Sequence, residues 1–259
     1  MDISIRRLRQ GWLMMKTFSN WPQCLWHNYS SPPAGDLFEY KIRKGYSFWG
    51  RPGTLDRGIL MEIWGEQCYA PEGWQLNSTD IIVDIGAHIG VYALYGAAQA
   101  SKGCVVAVEP DPENYTLLAR NIRQNRISNC HPENLAVASV AGTRDLFLGT
   151  PGETGGHSLV IEGGRKSLSV QTITLQDILD KYHLDHIDCL KLDCEGSEYE
   201  ILGSLSPELW KKIHRIVMEC HDVDQERNLK TLQTLLKDKG YQIIKTQPIS
   251  PGLSFVYAR

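Results

Sequence analysis

Several features are missing from this 259-residue sequence. No run approaches the roughly 18 apolar residues that a membrane span needs. No internal repeat is present, and no two of the seven cysteines have C-x-x-C spacing. The odd cysteine count argues against a disulfide framework, the missing spacing argues against a zinc site, and both point to a reducing, cytoplasmic setting. Arg6, Arg7 and Arg9 resemble the start of a signal peptide, but the apolar run from Trp12 to Met15 is too short and no small-residue cleavage site follows. Charge of one sign is not in excess. Lys and Arg number 27 against 30 Asp and Glu, a net −3, which gives no support to a nucleic-acid partner bound by bulk electrostatics. A 42% apolar and 22% charged composition excludes a disordered or collagenous chain.

What is present is unevenly spread. The first 50 residues hold seven basic and three acidic residues, a balance of +4, which leaves −7 for the other 209. Six of the seven Trp precede residue 75. Ile5, Leu8, Trp12 and Met15 fall at helical spacing, and the reading preferred to a membrane-surface helix is a helix packed on its own protein. Residues 29–36 are a turn-rich break, Leu37 to Phe48 reads as a hairpin, and Leu55 to Tyr69 as a helix closed by Pro71-Glu72-Gly73.

From residue 80 short apolar runs alternate with helices, the pattern of a parallel sheet covered on both faces. Strands are predicted at Ile81–Ile85, Cys104–Val108, Leu135–Val140, Leu168–Thr172, Ile187–Leu192 and Ile213–Cys220. Helices are predicted at Ile89–Ala100, Asp111–Arg126, Leu175–Tyr182, Glu198–Leu205 and Gln225–Lys239. Residues 149–167 read as a Gly-rich loop, and Tyr241–Lys245 with Ser254–Ala258 as a closing strand pair. The expected organisation is an N-terminal extension over 1–75, helical and hairpin in character, followed by a catalytic-type domain over 76–259.

The most informative stretch is Val83-Asp84-Ile85-Gly86-Ala87-His88-Ile89-Gly90. It follows a strand and opens a helix, where glycines let a ligand approach the backbone. His88 stands where a dinucleotide fingerprint needs its second glycine, so a pyrophosphate is disfavoured, and with it a dehydrogenase. Asp84 would repel a phosphate and suit an ammonium. The pattern therefore points to S-adenosylmethionine (SAM), with its amino-acid head and sulfonium. Glu109 ends the next strand, 19 residues after Gly90, where a carboxylate accepts both hydrogen bonds of a ribose diol. Asp193 ends a later strand, so Asp84, Glu109 and Asp193 are expected to converge on one crevice.

VDIGAHIG (83–90), VEPDPENYTLLARNI (108–122), TLQDIL (174–179), LKLDCEGSEYEIL (190–202) and MECH (218–221) together resemble the FkbM-type methyltransferases, a class I SAM-dependent group. The resemblance covers roughly residues 50–258. It implies a Rossmann-like α/β fold, with a seven-stranded, mostly parallel sheet into which a C-terminal antiparallel hairpin inserts one reversed strand. It implies O-methylation of a hydroxyl on a small molecule, sugar or natural product. By position, Asp84, Gly86 and Gly90, with Ala87 and His88 between them, would cradle the amino-acid part of SAM. Glu109 would hold the ribose, while Pro110, Asn134 and Ala136 would lie near the adenine and Asp193 near the methionine end. Tyr69 would close over the cofactor, with a cation–π attraction of about 0.5–2 kcal/mol to the sulfonium.

An alcohol acceptor must lose a proton, so a base is expected. The candidates are Glu195 and His221, then His157 in the Gly-rich loop, which would serve as a lid; no residue is assigned to a metal. The competing readings are N-methylation of a small molecule or RNA, and a non-catalytic SAM-binding or nucleotide-binding module. An RNA substrate is disfavoured by the lack of an N-P-P-Y tetrad. The Trp-rich front would act as a cap or as a homo-oligomer contact that shapes acceptor choice.

Overall fold

The computed structural model describes residues 3–29, 36–71, 73–150, 152, 154–162 and 166–259, with backbone only for 3–7 and 28–29. The break expected at 29–36 lies mostly outside them. Helices α1 (Ile3–Thr17) and α2 (Trp21–Tyr29) lead into a hairpin of β1 (Phe38–Lys41) and β2 (Ser47–Gly50). Helix α3 (Asp56–Leu60) then runs on as a π-helical turn over Met61–Glu66. The alternating part begins with β3 (Ile81–Ile85), α4 (Val91–Gln99), β4 (Cys104–Val108), α5 (Pro112–Gln124), β5 (Cys130–Glu133) and β6 (Ala136–Val137). It continues with β7 (Gly142–Phe147), β8 (Ser167–Ile173), α6 (Leu175–Tyr182), β9 (Cys189–Leu192), α7 (Glu198–Gly203) and α8 (Pro207–Lys212). The chain closes with β10 (Ile216–His221), α9 (Leu229–Asp238), β11 (Ile243–Ser250) and β12 (Leu253–Ala258).

Seven strands form one sheet in the order β11-β12-β10-β9-β3-β4-β5. Only β12 is reversed: it pairs antiparallel with β10 and β11, while β10, β9, β3, β4 and β5 pair parallel. Alternate residues of the central strands enter two cores. Ile82, Val105 and Ala107 face α4 and α5 together with the N-terminal elements. Val83, Ile85, Val106, Leu190 and Leu192 face α6 to α9. Both faces are therefore apolar, which is why these strands carry unbroken runs of Val, Ile and Leu.

The front of the chain is continuous with the first core, through Leu13, Met14, Phe18, Phe48 and Trp64. The helical stripe read from the sequence is, however, the wrong face: Leu8 and Trp12 are 74% and 58% exposed, while Leu13, Met14 and Thr17 are buried. The cause is a close crossing at Gly65, where an added Cβ would come within 2.4 Å of Thr17 Oγ1 and 2.8 Å of Leu13 Cδ1. That crossing turns the Leu13–Thr17 face inward. Trp64 and Trp74 are core residues, whereas Trp12 and Trp26 remain on the surface.

Several elements differ from the sequence expectation, α2 among them, since no helix was read over Trp21–Tyr29. The strand beyond β4 is Cys130–Glu133, and only Ala136–Val137 of the expected Leu135–Val140 is strand, in a separate sheet ordered β6-β8-β7. An edge strand needs partners on one side only, so β5 tolerates His131 and Pro132, which a central strand would not. The expected strand at 168–172 belongs to that smaller sheet, and its partner β7 is polar and went unread. Helix α8 was also unread, although Ser206 caps it at Leu209 N and Pro207 opens it.

Candidate active site

The carboxyl ends of β3, β4, β9 and β10 open onto one cavity of about 890 Å³, its mouth included. Ligands of open α/β sheets bind outside such strand ends. Tyr69, Gly86, Ala87, His88, Glu109, Pro110, Ala136, His157 and Asp193 all line it, as the sequence reading expects. Glu62, Lys191, Ser197 and Glu219 also line it. Ile59, Ile63, Leu146 and Leu159 form an apolar wall.

The turn after β3 is shaped by close backbone packing. Gly86 and Ala87 donate their N–H groups to Val108 O at 3.0 Å, and Asp193 N–H donates to Ile85 O at 3.1 Å. A Cβ on Gly86 would stand 1.7 Å from Asp193 O, and the residue has φ +78°, so only glycine fits.

Glu109 is buried at the end of β4. One carboxylate oxygen accepts from His88 N at 2.8 Å, the other from Asp111 N at 3.0 Å. Burial raises its carboxyl to about 7, against the pull of these N–H groups. Asn134 does not line the cavity. Its side chain donates to Glu109 O and Pro110 O at 2.9 and 3.0 Å, bracing the turn from behind.

Asp84 does not line the cavity either. It is fully buried on the sheet face beneath the glycine turn, where Lys191 Nζ stands 3.1 Å from Oδ1. The ammonium that Asp84 faces is the protein's own. Lys191 Nζ also donates to Gly86 O at 2.7 Å and lies 3.6 Å from Asp193 Oδ2. Burial opposes the lysine's charge, but Asp84 and Asp193 outweigh it and raise its pKa. Lys191 also stands 5.6 Å over the Tyr69 ring, in the cation–π position assigned to the sulfonium. Gly90 serves the fold instead, as the left-handed N-cap of α4 against Leu118.

Two of the three candidate bases lie outside the lining. Glu195 sits in a left-handed turn (φ +52°), with its carboxylate 3.5 Å from His221 Nε2. His221 Nδ1 is 3.0 Å from the buried Glu198. Burial works against a charged His221, but Glu198, Glu195 and Asp193 override it and raise its pKa to about 10. An imidazole that is mostly protonated at neutral pH is a poor base there. His157 faces the cavity, and its Nδ1 accepts from Gly149 N at 2.9 Å.

The residue that sequence reasoning passed over is Glu219, which lies two residues before the end of β10 and lines the cavity. Tyr69 donates its hydroxyl to Glu219 Oε1 at 2.7 Å and to Asp193 Oδ2 at 3.2 Å. Burial, then the Asp193 charge, raises the Glu219 carboxyl to about 8. Donor atoms of Asp193, Glu219 and His221 lie within 4.8 Å of one another, but Lys191 and Tyr69 already engage these carboxylates.

Four carboxylic residues, Glu62, Glu109, Asp193 and Glu219, thus face one lysine in the lining, a field that suits a cation. Ser197 Oγ and His88 Nδ1 are buried at the wall without a hydrogen-bond partner, ready for a polar ligand. These features fit SAM: a ribose acceptor at Glu109, negative surroundings for its sulfonium and ammonium, and a glycine turn free of side chains.

The fold and the site define a class I SAM-dependent methyltransferase. The solved structure of methyltransferase FkbM from Methylobacillus flagellatus KT shares the fold, with a TM-score of 0.51 at 18% identity over 80% of this chain and 56% of that one. The family model described as "Methyltransferase FkbM domain" matches residues 84–243. Methyltransferase sdnD of Sordaria araneosa is 30% identical over 218 residues, 72% of this chain and 82% of that protein. The 31-O-demethyl-FK506 methyltransferase FkbM of Streptomyces tacrolimicus is 25% identical over 224 residues, 75% and 85% of the two chains. The hexuronic acid methyltransferase AglP of Haloferax volcanii is 24% identical over 147 residues, 57% and 58%. The chain belongs to the FkbM family of methyltransferases, and its cofactor is SAM.

Proposed function

We propose that this methyltransferase methylates a hydroxyl of a small organic molecule and that Glu219 takes the hydroxyl proton. The observation that carries the reading is the place of Glu219, a cavity-lining carboxylate held by Tyr69 near the end of β10. The apolar wall of Ile59, Ile63, Leu146 and Leu159 suits an organic acceptor. Two relatives support the class, one named for 31-O-demethyl-FK506 and one for a hexuronic acid.

SAM, when bound, supplies a methyl group already activated by its sulfonium. The protein's own part is alignment, which contributes on the order of 7–11 kcal/mol in well-oriented reactions. Glu109 would accept hydrogen bonds from the ribose, and the surrounding carboxyl groups would favour the cationic end. Lys191 stays paired with Asp84 and Asp193, and Glu219, held by Tyr69, is left to exchange a proton. Glu219 Oε2, the oxygen opposite the one Tyr69 holds, accepts the proton as the acceptor oxygen is alkylated.

A base must be ionised to act, and Glu219 titrates near 8. Turnover should therefore rise from pH 6 to 9. Turnover is read as release of S-adenosylhomocysteine over a panel of small-molecule alcohols that includes 31-O-demethyl-FK506 and a hexuronic acid, with matched amines alongside. Glu219→Gln should keep SAM affinity within about threefold, lose a factor of roughly 10²–10⁴ in kcat, and flatten the pH rise. Near-wild-type kcat in that variant removes Glu219 as the base. Turnover confined to the amines replaces O-methylation by N-methylation.

A further inference from the structure

We infer that His186, Asp188 and His214 form a zinc-class metal site at the end of the sheet opposite the cavity. His186 and Asp188 flank Ile187 just before β9, and His214 immediately follows Ile213 before β10. A parallel bridge joins Ile187 to Ile213, with Ile187 N–H donating to Lys212 O at 2.8 Å and His214 N–H to Ile187 O at 2.9 Å. The backbone therefore fixes both histidines relative to the aspartate.

The donor atoms stand close enough to converge on one ion. His186 Nε2 lies 3.1 Å from Asp188 Oδ2, and His214 Nδ1 lies 3.1 Å from Oδ1. One donor atom from each residue falls within 4.8 Å of the others. The two imidazole rings stack with centroids 4.9 Å apart. Two ligands about 2.0–2.1 Å from a zinc ion and 3.1 Å apart subtend an angle of about 100°, near tetrahedral. Asp188 is oriented from behind, as a metal-binding carboxylate usually is. Ile81 N–H donates to its Oδ2 at 2.8 Å, and Arg215 Nε donates to its carbonyl at 3.1 Å.

Two imidazoles and one carboxylate select a borderline dication such as Zn²⁺ over Mg²⁺ or Ca²⁺. The His214 side chain is 53% exposed, so an ion can enter and water can take the fourth position. Through Ile81, Asp188 and His214, the bound ion would clip together the amino ends of β3, β9 and β10. Its role is structural, and it lies on the far side of the sheet from methyl transfer.

The test is calorimetric titration of Zn²⁺ into the reduced, chelator-stripped full-length protein, with thermal unfolding followed in parallel. The wild type should bind one ion that His186→Ala/His214→Ala loses or holds at least tenfold more weakly. The same ion should raise the unfolding temperature of the wild type only. SAM affinity should be equal in both proteins, which shows that the double variant is folded. His214→Cys should retain the ion, because thiolate replaces imidazole as a zinc ligand. Equal stoichiometry and affinity in the wild type and the double variant would assign the binding to thiols or other surface groups and overturn the site. So would Mg²⁺ binding as tightly as Zn²⁺.

Discussion

A lysine in the middle of Leu190-Lys191-Leu192, in a strand buried on both faces, is tolerable only with a partner. The sheet supplies one in register: Asp84 and Lys191 are opposed residues of β3 and β9. Removing one member of such a pair costs about 3–5 kcal/mol, because the other is left charged and buried. Lys191→Met should lower unfolding stability by that amount in urea titrations. Lys191→Met/Asp84→Leu should recover most of the loss, and a single variant as stable as the wild type would contradict the pairing. Both residues were visible in the sequence, but Asp84 was assigned to the ammonium of SAM, whereas the ammonium beside it is that of Lys191. What the sequence hid was the neighbour: 107 residues separate the pair, and only the order β9-β3 brings them together. Glu219 was hidden for a similar reason. Nothing local distinguishes it from Glu195 until Tyr69 and the cavity are in place.

At the scale of elements, the Gly-rich stretch is tied across the cavity by a buried polar network. Thr154 donates its hydroxyl to Asp56 Oδ1 at 2.8 Å, and Asn114 donates to Thr154 O at 2.9 Å. Asp56 in turn accepts from Arg51 Nε at 3.0 Å and lies 3.3 Å from His88 Nε2. Burial brings His88 down to about 4, so it sits neutral beside the ion pair. One network thus joins the segment before α3, the glycine turn, α5 and the loop, next to Glu109. Thr154→Val should weaken SAM binding by about 1 kcal/mol, roughly fivefold, with little change in unfolding stability. Unchanged affinity by calorimetry would reduce the bond to packing. The elements that position the site were legible because each carries a strong local signal. Thr174 and Asp177 form a capping box at α6, and Asp111-Pro112 opens α5. The elements that were missed or displaced, β5, β7 and α8, are polar edge strands and a six-residue helix, where hydrophobic periodicity is faint.

Across the whole molecule, the skewed composition divides along the fold. The acidic bulk contains the carboxylates of the cofactor cavity. The basic, Trp-rich front packs partly into the first core and leaves Trp12 and Trp26 on the surface. No helix among the described residues is long and apolar enough to cross a membrane. On the proposed reading SAM lies across the strand ends with its ribose on Glu109. Calorimetric titration of the wild type and Glu109→Ala with SAM, S-adenosylhomocysteine and NAD tests it most directly. The wild type should bind both adenosyl ligands but not NAD, and Glu109→Ala, still folded, should lose at least tenfold in affinity for both. Equal SAM affinity in the two proteins, or NAD bound as tightly as SAM, would contradict it.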